Sequence, residues 1–130
     1  MAVAEGLRLA FVDETHIRAD YLEIFPYEGE RQLIIYKTAE WSSVCPFSGL
    51  PDYGDLTIEY IPSDSIVELK SLKYYIVSYR NVGIYQEPAT NRLFQDLFKL
   101  LTPTYLSVST RYNTRGGIDA TCMIEKGQRH

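Results

Sequence analysis

Histidine is nearly absent from this 130-residue chain, which has only His16 and His130. A zinc cluster of His and Cys ligands, or a triad built on an imidazole, has too little material here. No metal site is expected. Cysteine is equally scarce: Cys45 and Cys122 make no disulfide framework and no CxxC pair. Apolar runs such as Leu33 to Tyr36 are far too short to cross a bilayer, so no membrane partner is expected. Positive charge is in deficit, with 13 Lys and Arg against 17 Asp and Glu and a net charge of −4. Nucleic-acid binders usually show the reverse balance, because neutralised phosphates supply most of their affinity. No direct nucleic-acid contact is therefore expected. The first residues mix acids with apolar side chains and lack a signal-peptide layout, so the expected location is cytoplasmic.

What remains is a globular composition, 45% hydrophobic and 23% charged. The length fits one domain over residues 1–130, with 1–20 weakly patterned and expected to form a partly ordered arm. Leu22 to Phe25 reads as a short strand, and Gln32 to Lys37 as a second. A loop rich in Ser, Pro and Gly is expected from Thr38 to Gly54. Asp55 to Ile61 alternates, with Leu56, Ile58 and Tyr60 on one face.

Then the period changes. Ser65 followed by Glu68 resembles a capping box, and Leu69, Leu72, Tyr75, Ile76 and Tyr79 share one helical face. A second helix opens near Glu87-Pro88, where Pro suits the first turn. Its stripe is Leu93, Phe94, Leu97, Leu100 and Leu101, and Thr102-Pro103 stops it. Tyr105 to Tyr112 and Ile118 to Glu125 read as strands about a turn. This order predicts an α+β fold, an antiparallel sheet with two helices packed on one face. Such a sheet keeps open edges. The 11 tyrosines exceed what its core needs, and aromatic residues are enriched at subunit contacts. An oligomer with sheets joined edge to edge answers both points.

Several residues could carry chemistry. Cys45 lies in Ser42-Ser43-Val44-Cys45-Pro46-Phe47-Ser48-Gly49-Leu50-Pro51-Asp52, a loop stiffened by proline and glycine. Its thiol is either a nucleophile or a small buried hydrophobe. Asp52 is either a proton-transfer group or a turn aspartate. Glu68 is a cap, a carboxylate in a pocket, or both. Lys70 and Lys73 stand three apart and could share an anion or form a solvated face. Arg115-Gly116-Gly117 is an anion-binding corner or a simple hairpin turn. Glu87 suits a helix dipole, or bidentate bonding to adjacent N–H donors such as a guanine-like edge.

These segments together resemble a known family. SSVCPFSGLPD, VELKSLKYYIVSYRN, the pair Gln86-Glu87 and TRGGID are similar to the single-module form of NADPH-dependent 7-cyano-7-deazaguanine reductase. That family is related to GTP cyclohydrolase I and shares its tunnelling fold (T-fold). The resemblance runs from about Gln32 to Asp119, and ELKSLKYY, Glu68 to Tyr75, is its most specific part. It implies a nitrile reductase of queuosine biosynthesis that uses NADPH. Cys45 stands at the nucleophile position and would form a thioimidate with the substrate nitrile. Asp52 stands at the proton-transfer position. Val67, Glu68 and Leu69 match base-pocket positions, and Glu87 the purine-anchoring carboxylate. Lys70, Ser71 and Lys73 fall in the NADPH-associated motif, and Arg115 and Gly116 are assigned to the cofactor with them. Gln86 departs from the family, whose familiar members have His there; glutamine can bond the substrate but cannot exchange a proton near neutral pH. The resemblance also implies a barrel closed by oligomerisation, a decamer of two stacked pentamers. An archaeal amidinotransferase acting on the nitrile in tRNA and a non-catalytic purine-binding T-fold oligomer are the competing readings.

Overall fold

The computed structural model describes residues 5–130. Two antiparallel sheets organise it. The main sheet has four strands in the order β2 (Ile34–Val44), β3 (Pro51–Ile61), β5 (Tyr105–Arg115) and β6 (Ile118–Gly127). A short ribbon pairs β1 (Ile24–Pro26) with β4 (Ser65–Val67). Helices α1 (Leu69–Val77) and α2 (Gln86–Leu101) lie between β4 and β5 in the chain. Their apolar stripes pack on one face of the main sheet, where Leu72, Tyr75, Leu93, Phe94 and Leu97 meet Leu56, Ile58, Leu106 and Val108. The α+β architecture expected from the order of elements is present.

The loop expected over Thr38 to Gly54 is far shorter. β2 continues through Val44 and β3 begins at Pro51, leaving residues 45–50 between them. Local composition misleads because the pairing is irregular there. The register shifts between Thr38 and Trp41, a bulge that turns Trp41 fully inward. Gly54 belongs to the strand because β5 runs close against it: a Cβ there would collide with the Arg111 carbonyl.

Ser65 does not cap α1. It sits in β4, paired with Pro26. Glu68 is the cap itself, its carboxylate accepting from the Lys70 and Ser71 N–H groups. An acid at that place also favours the helix dipole. α2 begins as read, with Gln86, Glu87 and Pro88 in its first turn, and ends where Thr102 turns left-handed at φ 37°.

A buried polar chain ties the helices together. The Tyr75 hydroxyl meets the Tyr79 hydroxyl at 2.7 Å and donates to Asp96 at 2.7 Å, and Arg92 donates to the same carboxylate at 2.8 Å. Trp41 packs its ring 4.9 Å from that of Tyr79. The other face of the sheet is polar: Lys37, Asp55, Thr57, Ser109, Arg111 and Thr121 line a shallow depression. β2 and β6 are the sheet's two edges; among the described residues, β2 meets on its outer side only a short parallel bridge from Val44 to Gly83.

Candidate active site

The β2–β3 connection carries Cys45. Cys45 occupies the place of an N-cap: Pro46 follows it, and its carbonyl accepts from Gly49 N–H at 2.9 Å, closing a single helical turn. Side chains at N-caps receive the free N–H groups of the turn they open. Hydrogen bonding from the Ser48 N–H, then from the Ser48 hydroxyl and the Phe47 N–H, holds the Cys45 thiol below its ordinary value. Burial and the nearby Asp52 charge oppose that shift without reversing it. The turn is closed at its base, where Cys45 N–H donates to the Leu50 carbonyl at 2.9 Å. Thiolate character in an accessible thiol is what a nucleophile requires.

Asp52 stands at the start of β3, paired in register with Ser43. Its side chain is 13% exposed and forms an ion pair with Arg115. Burial raises its carboxyl above the usual range, and the Arg115 charge only partly offsets this. A half-dry carboxyl with a raised value is suited to holding a proton that it can give away. Arg115 is committed on two sides, since it also donates to the Pro51 carbonyl at 3.1 Å. It therefore orients Asp52 from the end of β5. Gly116 forms the exposed left-handed corner beside it, at φ 56°.

The start of α2 is tied to the same end of the sheet. Val44 N–H donates to Val82 O at 3.0 Å, and Ile84 N–H donates back to Val44 O at 3.1 Å. Cys45 and the Gln86-Glu87 pair thus hang from one stretch of backbone. Gln86 is buried, and its amide nitrogen donates to the carbonyls of Thr110 and Ala120, both at 3.1 Å. Two carbonyl partners fix which end of the amide is nitrogen. Oε1 is left as the acceptor. Glu87 is exposed on the first turn, and its charge helps burial push the Cys122 thiol upward. Cys122 sits opposite Thr110 on β6, half-buried.

The remaining candidates lie elsewhere. Val67 N–H donates to the Tyr60 hydroxyl at 3.2 Å, near the far end of β3. Asp52 and Tyr60 are eight residues apart on that strand, about 26 Å at the usual rise. Val67, Glu68, Leu69, Lys70, Ser71 and Lys73 are therefore distant from Cys45 within one protomer. Ser71 is buried, its hydroxyl donating to Glu68 O at 2.7 Å and accepting from Glu23 N–H at 3.0 Å. Leu69 is exposed. Lys70 lines a hollow with Tyr21, Glu23, Glu68 and Tyr74, while Lys73 lines a separate apolar groove of about 440 Å³ between β2 and α1. The two lysines thus line different hollows. They suit an anionic ligand whose charges are spread out, and each would take a different one.

Ser48 was not among the residues singled out from the sequence. Its signal is present there: a proline directly after Cys45 and a serine three residues after it have the spacing of a capped helical turn.

Residues 51–130 match a family model described as QueF-like protein. The chain belongs to the QueF-like family. Two relatives named NADPH-dependent 7-cyano-7-deazaguanine reductase, from Thermotoga petrophila and Thermotoga maritima, are each 52% identical over 125 residues. Those alignments cover 95% of this chain and 91% of each relative. A third of the same name, from Pelodictyon phaeoclathratiforme, is 46% identical over 86% of this chain and 98% of its own. Among solved structures, a QueF-like protein described as archaeosine synthase in the apo form superposes with a TM-score of 0.70 at 26% identity. It matches 77% of this chain and 98% of its own. In QueF-like terms, the matched segment starts at the first residue of β3 and includes Asp52, α1, Gln86-Glu87 and Arg115.

Proposed function

We propose that this chain is an NADPH-dependent 7-cyano-7-deazaguanine reductase, converting the nitrile to the aminomethyl group in the route to queuosine. The observation that carries this reading is the 52% identity, across nearly the whole chain, to relatives of that name. The site supports it in chemical detail. Cys45 Sγ, its thiolate favoured by the Ser48 and Phe47 groups, adds to the nitrile carbon. The nitrile nitrogen takes a proton, and Asp52, raised by burial, is placed to provide it. The product is a thioimidate, whose C=N bond accepts hydride more readily than a nitrile. NADPH, when bound, would supply the hydride equivalents for both reductions, and Cys45 would leave again as the thiolate. Glu87 offers two carboxylate oxygens to the amino and ring N–H donors of the base. Gln86 Oε1 offers one further acceptor. Lys70 and Lys73 would hold separate anionic groups of NADPH, with Ser71 and Glu68 shaping the first turn between them.

The separation along β3 supports an oligomer. One protomer holds Cys45, Asp52 and Glu87 at one end and the Val67 to Lys73 block at the other. A second copy, its β6 edge laid on β2, brings its own block towards the thiol and extends the sheet towards a closed barrel. A decamer of two pentamers is the proposed form, and a protein acting in the cytoplasm on a free base is the proposed setting.

The test combines 7-cyano-7-deazaguanine with NADPH and follows NADPH absorbance. A parallel sample without NADPH goes to intact-mass analysis. Two NADPH consumed per nitrile, with an adduct on Cys45 lost in Cys45→Ala, is the expected result. An adduct without NADPH oxidation would favour instead the transfer chemistry suggested by the name of the solved neighbour, and neither signal would leave a purine-binding oligomer.

A further inference from the structure

The segment just ahead of the first 3-10 turn lies across the back of the Cys45 turn. Leu9 N–H donates to the Ser48 carbonyl at 2.8 Å. The Leu9 carbonyl presses on Gly49, which is left-handed at φ 75° and has no room for a Cβ. The Arg8 guanidinium lies 4.3 Å from the centre of the Phe47 ring. Phe11 covers Gly83, where a Cβ would collide with the ring and come within 3.2 Å of the Pro46 Cα. Val12 N–H donates to Asn81 O at 2.9 Å, and its carbonyl accepts from Gly83 N–H at 2.8 Å. Val12, the linker Val82-Gly83 and Val44 thus form three parallel plies, and Cys45 is the next residue after the third.

We propose that residues 8–12 are a positioning strap for the nucleophile: Leu9 and Phe11 hold the Cys45–Gly49 turn in the shape that presents its N–H groups to Cys45 Sγ. Each contact bears on that shape. The Leu9 bond fixes the Ser48–Gly49 peptide, whose nitrogen side closes the turn on Cys45 O. The Phe11 ring packs on Gly83 beside Pro46, the residue that starts the turn. The strap does not act through charge. The charged groups around the thiol are Asp52 from β3, paired to Arg115 from β5, and Arg8, which is engaged with Phe47. Removing the Phe11 ring touches none of these groups, so Phe11→Ala isolates the packing from the charge, whereas Leu9→Pro also constrains Arg8.

The inference rests on Cys45 being the nucleophile, and its test does not need turnover. Leu9→Pro removes the N–H that reaches Ser48, and Phe11→Ala removes the ring over Gly83. In the full chain with Cys122→Ser as background, the rate of Cys45 alkylation by iodoacetamide is measured from pH 5 to 10, with circular-dichroism melting alongside. A loosened turn moves the thiol towards its free value, near 8.5. For each unit moved, the thiolate fraction at low pH falls about tenfold. Higher intrinsic nucleophilicity returns about threefold of that. The expected signature is therefore a net loss of about threefold at low pH, with a faster plateau at high pH. A scaffold without a positioning role would lower the melting temperature and leave the pH profile of the folded protein where it was; that result overturns the proposal. If Leu9→Pro does not fold, Phe11→Leu, which keeps most of the apolar volume, decides by the same profile. Strap-dependent reactivity in a protein without NADPH turnover would refute the reductase reading alone. Normal turnover with a strap-independent profile would refute the strap alone.

Discussion

Replacing Gln86 by histidine tests how this chain moves protons. The Gln86 amide serves two carbonyls, Thr110 O and Ala120 O, from one nitrogen at 3.1 Å each. An imidazole presents only one N–H from each ring nitrogen, so it keeps one of those bonds. Losing the other costs about 1 kcal/mol, since Ala120 is exposed and water can replace the donor. For a domain of this size that lowers Tm by roughly 3–5 °C. In exchange, the variant places beside the base pocket a group that titrates near 6.5, about a quarter protonated at pH 7. General acids contribute about 10²–10⁴-fold where no other donor exists. With Asp52 as the proposed proton donor, the expected gain at pH 6 is under about tenfold. The assay is initial NADPH oxidation from pH 5 to 9 for both proteins. Wild type should show no limb attributable to an imidazole, because His16 sits in the exposed turn Glu14–His16 and His130 is the last residue. Gln86→His should acquire one between pH 6 and 7. Superimposable profiles would refute the placement of residue 86 beside the base pocket. A wild-type limb in that range that survives substitution of Asp52 and Cys45 would refute the account of Gln86 as a non-titrating acceptor.

Other outcomes follow from the same geometry. Arg115→Ala removes the charge that partly offsets burial at Asp52, so the Asp52 carboxyl rises further. If Asp52 donates a proton, its high-pH limb of activity moves to higher pH; a limb that stays or falls would count against the donor role. The linkage has a definite sign: a carboxyl raised in the folded state loses stability as pH rises through its folded value. The Tm gap between Arg115→Ala and wild type should therefore be smallest in acid and widen towards neutral pH. Tyr75→Phe removes the hydroxyl that joins Tyr79 to Asp96 inside the protein, and should cost about 1–3 kcal/mol. Thermal melting would show this as a drop of roughly 3–10 °C, and no change would mean the network is not stabilising. Lys70→Ala with Lys73→Ala should raise the KM for NADPH more than that for the nitrile, and equal effects on both would undo the assignment of the lysines to the cofactor.

Much of this arrangement is legible in the sequence, and the parts that are not share a cause. The stripe of α2 and the centre of that of α1 read correctly because a period of 3.6 survives wherever a helix buries one face, and Thr102-Pro103 stops α2; at the ends of α1, Leu69 is exposed and the buried Tyr79 falls past Val77. Strand alternation is a weaker signal. The bulge between Thr38 and Trp41 breaks the period of two, so β2 from Thr38 onward, more than half of it, reads as loop. Glu68 was seen as part of a capping box, but tertiary pairing of Ser65 with Pro26 claimed the box's first member for a strand and left Glu68 to cap alone. Cys45, Asp52 and Glu87 stand out by residue type, but only the family resemblance gives each of them a role. What spacing cannot supply is their distance from Val67 to Lys73, because that depends on which end of β3 each segment reaches. Nor does it reveal the strap. Leu9 and Phe11 act through backbone bonds and a ring over a glycine, contacts that leave no periodic trace.

For protein engineering, the shared linker Val82-Gly83-Ile84 sets a boundary. It carries Val44, and with it Cys45, on one side and leads into Gln86-Glu87 on the other. A library that varies these three positions would disturb bond-making and base selection at once, and its hits would confound the two. Altered base preference is better sought on the first turn of α2 and on the facing surface of β6, where side chains can change while the linker backbone stays as it is.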